Sequence, residues 1–549
     1  MTGWDQTVDV LVAGTGAAGL AAAMGAADAG LSVLVVESTA RWGGSTSMSG
    51  GGMWLPANPL MAREGAGDSR EEALAYLEAT GGDAGPATSR ARKEAFVDSV
   101  ADLVSLAERH GVRFARAADY PDYYPELAGG KIGRAIEVVP YDAKRIGSWW
   151  DSARAQDGVV FPLKTDDVWL LARAWSTPGG FARGARFVGR ALGGAVRGQK
   201  LVGAGAAFAC SFLDVILRQG VAVWLSAPVT ELVVEEGHVI GAVVQQDEGA
   251  HRVRTTRGVV LAGGGFAHRT DWRQRLHGIA GHSSASEGDQ GSAIEVGQQV
   301  GGAVDLMDDA WWGASVPAAS PGHSPAFLVS ERSMPYTIIV DAQGERFANE
   351  SESYVDLGHA MLERSQRIEG AFWMISDVRH TRRYLRTFAV EPGATKALRE
   401  AGLMHTGRTM AELATALGLE PRRLLDTVRR FNGFARSGID QDFGRGNSAY
   451  DRYYGDPLVR PNPNLGPLER GPFTAVQLVP GDLGTKGGLL TDVDARVLRE
   501  DGDPIPGLYA SGNSSDSVMG RTYPGPGSTI GPAMVFGLRA ARHLAGSHA

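Results

Sequence analysis

The chain has 549 residues, 43% of them apolar, and a formal net charge of −8. That length exceeds what one core supports, so two or more domains are expected, and the acidic balance argues against a general affinity for nucleic acid. Its single cysteine, Cys210, excludes an intramolecular disulfide, an all-cysteine iron–sulfur site and a thiolate zinc site.

A β-branched run, Val8 to Ala13, reads as a buried parallel strand. Gly14-Thr-Gly16-Ala17-Ala18-Gly19 follows, then an Ala-rich helix from Leu20 to Ala29 and a second strand, Ser32 to Val36, ending in Glu37. Strand, glycine turn, helix, strand and acid together are a dinucleotide fingerprint. The glycines allow a tight turn, close approach of pyrophosphate to a helix N-terminus, and helix–strand contact, while Glu37 stands where a ribose hydroxyl is bound.

An NAD-binding fold would next begin a helix. Here Ser38 to Gly52 is instead a Gly/Ser loop offering amides and hydroxyls to a further part of the cofactor, and this favours FAD lying along it. Residues 220 to 244 read as strands, and Arg257 to Phe266 as a strand entering the turn Gly263-Gly264-Gly265. Neither segment carries a second fingerprint, so one dinucleotide is expected. No metal site is.

Residues about 160 to 205 read as an insertion. On a helical wheel Phe181, Ala185, Val188, Leu192 and Ala195 share one face, with Arg183, Arg186, Arg190 and Arg197 opposite. Such a basic amphipathic helix suits the surface of an anionic membrane, and a solvated surface excursion is the alternative. No apolar run is long enough to span a bilayer, and no signal peptide is expected; the chain reads as cytoplasmic, with peripheral contact at the inner face of the cell membrane as an option.

Near the C-terminus, Arg521-Thr-Tyr523-Pro-Gly525-Pro-Gly527 sets a phenol beside bare backbone amides, just before an apolar helix, Ala533 to Leu544. Such a turn can hold a carbonyl oxygen that gains negative charge, although a capped helix with a packed tyrosine explains it equally well in isolation.

Taken together, the chain resembles the flavoprotein group that includes fumarate reductase and the ketosteroid dehydrogenases. The shared marks are the fingerprint, Leu261-Ala-Gly-Gly-Gly-Phe266, Glu287-Gly-Asp-Gln-Gly291, Gly344-Glu-Arg346-Phe-Ala-Asn349-Glu350 and Gly507-Leu-Tyr-Ala-Ser-Gly512-Asn513. Within the group, Asp122-Tyr123-Tyr124-Pro-Glu126 and Tyr523-Pro-Gly-Pro-Gly527 resemble the 3-ketosteroid Δ1-dehydrogenases.

The resemblance implies an α/β fold: a Rossmann-like FAD-binding domain, residues 1–300 and 475–549, with an inserted α+β substrate (cap) domain, 301–474. It implies FAD contacts from Gly14, Gly16, Ala17, Ala18, Gly19, Glu37, Ser38, Gly43, Gly44, Ser45, Thr46, Ser49, Gly50, Gly51, Val229, Gly263, Gly264, Gly512, Asn513, Ser528 and Ile530. The activity implied is 1,2-desaturation of a 3-ketosteroid, with quinone as a possible electron acceptor. Tyr523 and the Gly527 N–H would hold the C3 carbonyl, Tyr354 would remove the C2 proton, and Tyr123 would assist it.

Several alternatives stay open. Tyr336 competes with Tyr354 as base, and Tyr120 and Tyr124 lie close enough to Tyr123 to compete with it. Trp311, Trp312, Phe327 and Met334 are candidates for an apolar slot, with core packing as an equal alternative for each. Fumarate reduction would call on Arg346, His359 or His380, a sister reading acts at C4–C5, and a flavin-binding electron carrier or sensor is the reading from another class.

Overall fold

The computed structural model describes residues 3–158, 160–247, 249–320 and 323–546. The strand Gln6–Ala13 lies at the centre of an eight-stranded sheet. It pairs in parallel with Val33–Val36 on one side and Gly249–Leu261 on the other. Ala222–Trp224 and Pro504–Ala510 extend the parallel array at its two ends. All four residues of Val33–Val36 are buried, as an unbroken apolar run flanked by helices should be.

The fingerprint helix, Ala17–Asp28, follows the first strand after the Gly14–Gly16 turn. A Cβ on Gly14, at φ +118°, would stand 2.2 Å from the Ala262 carbonyl oxygen, so the turn requires glycine. The C-terminal helix, Ile530–Leu544, packs along the fingerprint helix, and small residues set the distance: a Cβ on Gly537 would lie 2.5 Å from the Ala18 carbonyl oxygen. The middle of this last helix therefore stands beside the start of the first. The helix begins at Ile530, three residues earlier than its apolar run suggests.

A second sheet orders the strands Ala326–Phe327, Ala310–Val316, Phe473–Thr485, Phe372–Ser376 and Thr337–Val340, with Met404–Gly407 on the long strand. Phe473–Thr485 runs straight through the expected boundary at 475. It pairs with strands of the middle segment along its length, so the boundary is better drawn after Thr485. The Gly/Ser loop after Glu37 also differs from expectation, since Gly44–Met48 closes one short helical turn with Gly43 in the left-handed region.

Candidate active site

One large cavity, of about 650 Å³, runs from the fingerprint to the Tyr523 turn. At one end Thr15 ties three segments together. Its hydroxyl donates to Glu37 Oε2 at 2.5 Å and accepts the Gly43 N–H at 2.8 Å. The Ala17 N–H, at the helix start, donates to Thr46 Oγ1 at 3.1 Å.

Of the sequence-predicted cofactor residues, Gly14, Gly16, Ala17, Ala18, Glu37, Ser38, Gly44, Ser45, Thr46, Ser49, Gly50, Gly51, Val229, Gly263, Gly264, Gly512, Asn513 and Ile530 line this cavity. Gly19, Gly43 and Ser528 do not, and each is held by a local contact. A Cβ on Gly19 would sit 2.0 Å from the Gly14 carbonyl oxygen. Gly43 stands behind Thr15, and the Ser528 hydroxyl closes the turn by accepting the Gly525 N–H at 2.9 Å.

Asp289, within the Glu287–Gly291 motif, is a further residue of the site. It lines the cavity, buried, and its Oδ2 accepts the Ser45 hydroxyl at 3.0 Å. Burial pushes its carboxyl up to about 7.

At the other end three tyrosines meet. The Tyr354 and Tyr523 ring centroids are 5.0 Å apart, Tyr123 and Tyr354 5.4 Å, Tyr123 and Tyr523 5.3 Å. Their backbone seats explain the motifs. The Tyr123 N–H donates to the Pro524 carbonyl at 2.8 Å and the Tyr76 hydroxyl to the same oxygen at 2.6 Å, so the two tyrosine segments are laced together.

The turn's glycines lie against the strand Gly52–Trp54. A Cβ on Gly525 would meet the Trp54 ring at 2.3 Å, and one on Gly527, at φ +91°, the Gly52 carbonyl oxygen at 2.0 Å. Asp122 anchors the other segment. It accepts from Trp54 Nε1 at 2.8 Å and pairs with Arg134 at 2.8 Å. Burial pushes its carboxyl up to about 6, against the pull of these donors.

Burial likewise raises the Tyr354 phenol well above the ordinary tyrosine range. It also raises Tyr523, but interactions of that hydroxyl with Tyr354, Thr529 and the Gly527 amide pull the other way. The phenol and amide expected to hold a carbonyl thus stand at one spot.

The competing candidates lie in different places. Tyr336 is away from the cavity lining, under the Arg379 guanidinium at 4.2 Å. Tyr124 donates to Asp356 at 3.1 Å, whereas Tyr120 lines the cavity and stands 3.5 Å, hydroxyl to hydroxyl, from Tyr123. Tyr450, Tyr453 and Tyr454, on the helix Ala449–Tyr454, complete the cluster. Their i, i+3, i+4 spacing was the available signal.

Phe327 lines the cavity, but Trp311, Trp312 and Met334 do not. Arg346 is taken up by Glu350 and Asp440, His359 by Asp309 and His380 by the Glu331 carbonyl. Among the described residues, the cavity lining holds no Lys, Arg or His.

The model of the FAD binding domain family matches residues 9–530. This chain belongs to that family. It is 42% identical to the 3-oxosteroid 1-dehydrogenase of Mycolicibacterium smegmatis, over 100% of this chain and 99% of the relative. It is 36% identical to the 4-oxocyclohex-2-ene-1-carboxylate 5-dehydrogenase of Sinomonas cyclohexanicum, over 98% and 93%. Among solved structures it matches the 3-ketosteroid delta1-dehydrogenase from Sterolibacterium denitrificans in complex with 1,4-androstadiene-3,17-dione, at 35% identity and a TM-score of 0.91, over 99% of this chain and 100% of that one.

The cofactor is FAD, and the cavity suits it. The glycine turn opens onto the cavity at a helix N-terminus, Glu37 is held in place by Thr15, and the Gly/Ser loop supplies amides along the wall.

Proposed function

We propose that this chain is an FAD-dependent dehydrogenase that introduces a C1–C2 double bond into 3-ketosteroids. The observation that carries the reading is the composition of the cavity beyond the fingerprint: a three-tyrosine cluster and no cationic side chain among the described lining residues. Fumarate and the oxocyclohexane carboxylates present carboxylates that need a cation; a neutral polycyclic ketone does not.

In this account the C3 carbonyl oxygen accepts hydrogen bonds from the Tyr523 hydroxyl and the Gly527 N–H. These donors stabilise the negative charge that develops there and so acidify the C2 hydrogen. Tyr354, once its own phenol proton has passed to the neighbouring tyrosine hydroxyls, takes that proton as a phenolate, and Tyr123 supports its oxygen. Bound FAD supplies the acceptor for the hydride that leaves C1. A carbon–carbon π bond replaces the two C–H bonds. Phe327 and Val329 give an apolar wall. The same reading puts the enzyme at the inner face of a membrane, where so apolar a substrate is dissolved.

Anaerobic mixing of the holoenzyme with 4-androstene-3,17-dione or with 4-oxocyclohexanecarboxylate tests the substrate class. The steroid is expected to bleach the flavin absorbance and the carboxylate to leave it. The reverse pattern would refute the reading.

A further inference from the structure

The helix Pro178–Val196 is built inside out. Its inner face carries Gly180, Arg183, Phe187, Arg190 and Gly194. Gly180 and Gly194 are buried. Arg183 reaches Asp119 at 3.2 Å, and Arg190 pairs with Asp167 at 3.0 Å and with the Pro162 carbonyl. The opposite face exposes Phe181 by 70%, Val188 by 50%, Leu192 by 62% and Val196 by 89%. A helix resting on a soluble protein has the opposite arrangement, apolar side inward.

These side chains are not part of a general scatter. Among the described residues, fourteen large apolar side chains are exposed, and seven lie between Val160 and Val196, Trp175 at 70% among them. Such concentration marks an interaction surface.

Charge selects the partner. Residues 160–205 carry seven Lys and Arg against two Asp, in a chain of net charge −8. Arg186, on the helix, and Arg197, at its C-terminal end, are exposed as well. A second copy meeting this face across a two-fold axis would bring the same cationic segment against itself, whereas an anionic bilayer offers both hydrocarbon and phosphate.

The insertion also walls the cavity. Gly158 and Thr165 line it, and the Thr165 hydroxyl donates to the Gly50 carbonyl at 2.8 Å. The Leu385 N–H donates to the Ala172 carbonyl at 2.9 Å, two residues from Thr387, which lines the cavity as well.

We infer that the helix Pro178–Val196 lies in the headgroup region of an anionic membrane, with Phe181, Val188, Leu192 and Val196 inserted, and that ketone dissolved in the bilayer enters the cavity beside it. The docking stands on the helix alone; the delivery rests on the steroid reading above.

Co-sedimentation of the full-length holoenzyme with phosphatidylglycerol/phosphatidylcholine vesicles tests it. At low salt the wild type is expected to pellet with these vesicles and far less with phosphatidylcholine alone. The F181D/L192D variant should lose about tenfold or more in vesicle affinity, and R186E/R197E should weaken binding in a salt-dependent way. For F181D/L192D, turnover of ketone in aqueous solution should be retained while turnover of vesicle-dissolved ketone falls.

A wild-type protein that stays in the supernatant would overturn the inference. So would F181D/L192D pelleting like wild type, or that variant dissociating a dimer while vesicle binding is unaltered. Vesicle binding without turnover of any steroid would instead refute the delivery and the substrate reading, and leave the docking face standing.

Discussion

Tyr354 is enclosed by the rings of Tyr123, Phe327 and Tyr523, and burial holds its proton tightly. So protected a phenol becomes a base only after its own proton has left, and the carbonyl donors ease the step by making the carbon more acidic. Tyr354→Phe should lower turnover by about 10²–10⁴-fold while the protein stays yellow, and Tyr336→Phe should leave turnover near wild type. Equal losses in both variants would remove Tyr354 from the role. Tyr523→Phe deletes one carbonyl donor, and a loss of about 10²–10³-fold in kcat is expected. A change confined to KM would mean that this hydroxyl only binds.

The tyrosine-bearing segments are positioned by buried ion pairs. Arg134 bridges Asp68 at 2.7 Å and Asp122 at 2.8 Å, all three side chains being nearly inaccessible. Arg134→Met should therefore cost about 3–5 kcal/mol in chemical denaturation, because two carboxylates are left buried and unpaired. A variant as stable as wild type would show that the network does not support the loop. The fingerprint was legible in the sequence because strand, turn and helix are contiguous there. The Tyr523 turn was legible as chemistry, but its seat on Trp54 was not, since the two meet only through the fold. The same holds for Tyr450 and Tyr454, which reach Tyr123 and Tyr120 from over 300 positions away in the chain and read locally as an ordinary amphipathic turn. For Trp311 and Trp312 slot and core stay equally open in the sequence, because aromatic composition marks burial of either kind, and the strand Ala310–Val316 is buried throughout.

For the whole molecule, pH acts through buried histidines. Burial lowers His277 to about 4 and His380 to about 3. Both pKa values are depressed on folding, so the stability they contribute is complete above the unfolded value of about 6.5 and is lost as pH falls toward the folded values, at up to about 1.4 kcal/mol per pH unit for each. Thermal unfolding should show Tm declining from pH 6.5 to 4.5, with a shallower decline in a His277→Gln/His380→Gln variant; parallel curves would contradict the linkage. In the proposed account the cofactor cavity of the large sheet and the tyrosine cluster serve one reaction, and that reaction has a single defining product. The most direct test is to incubate the holoenzyme with 4-androstene-3,17-dione and an artificial electron acceptor, then locate the new double bond by NMR. The account predicts 1,4-androstadiene-3,17-dione; a steroid returned unchanged, or one desaturated anywhere but between C1 and C2, would contradict it.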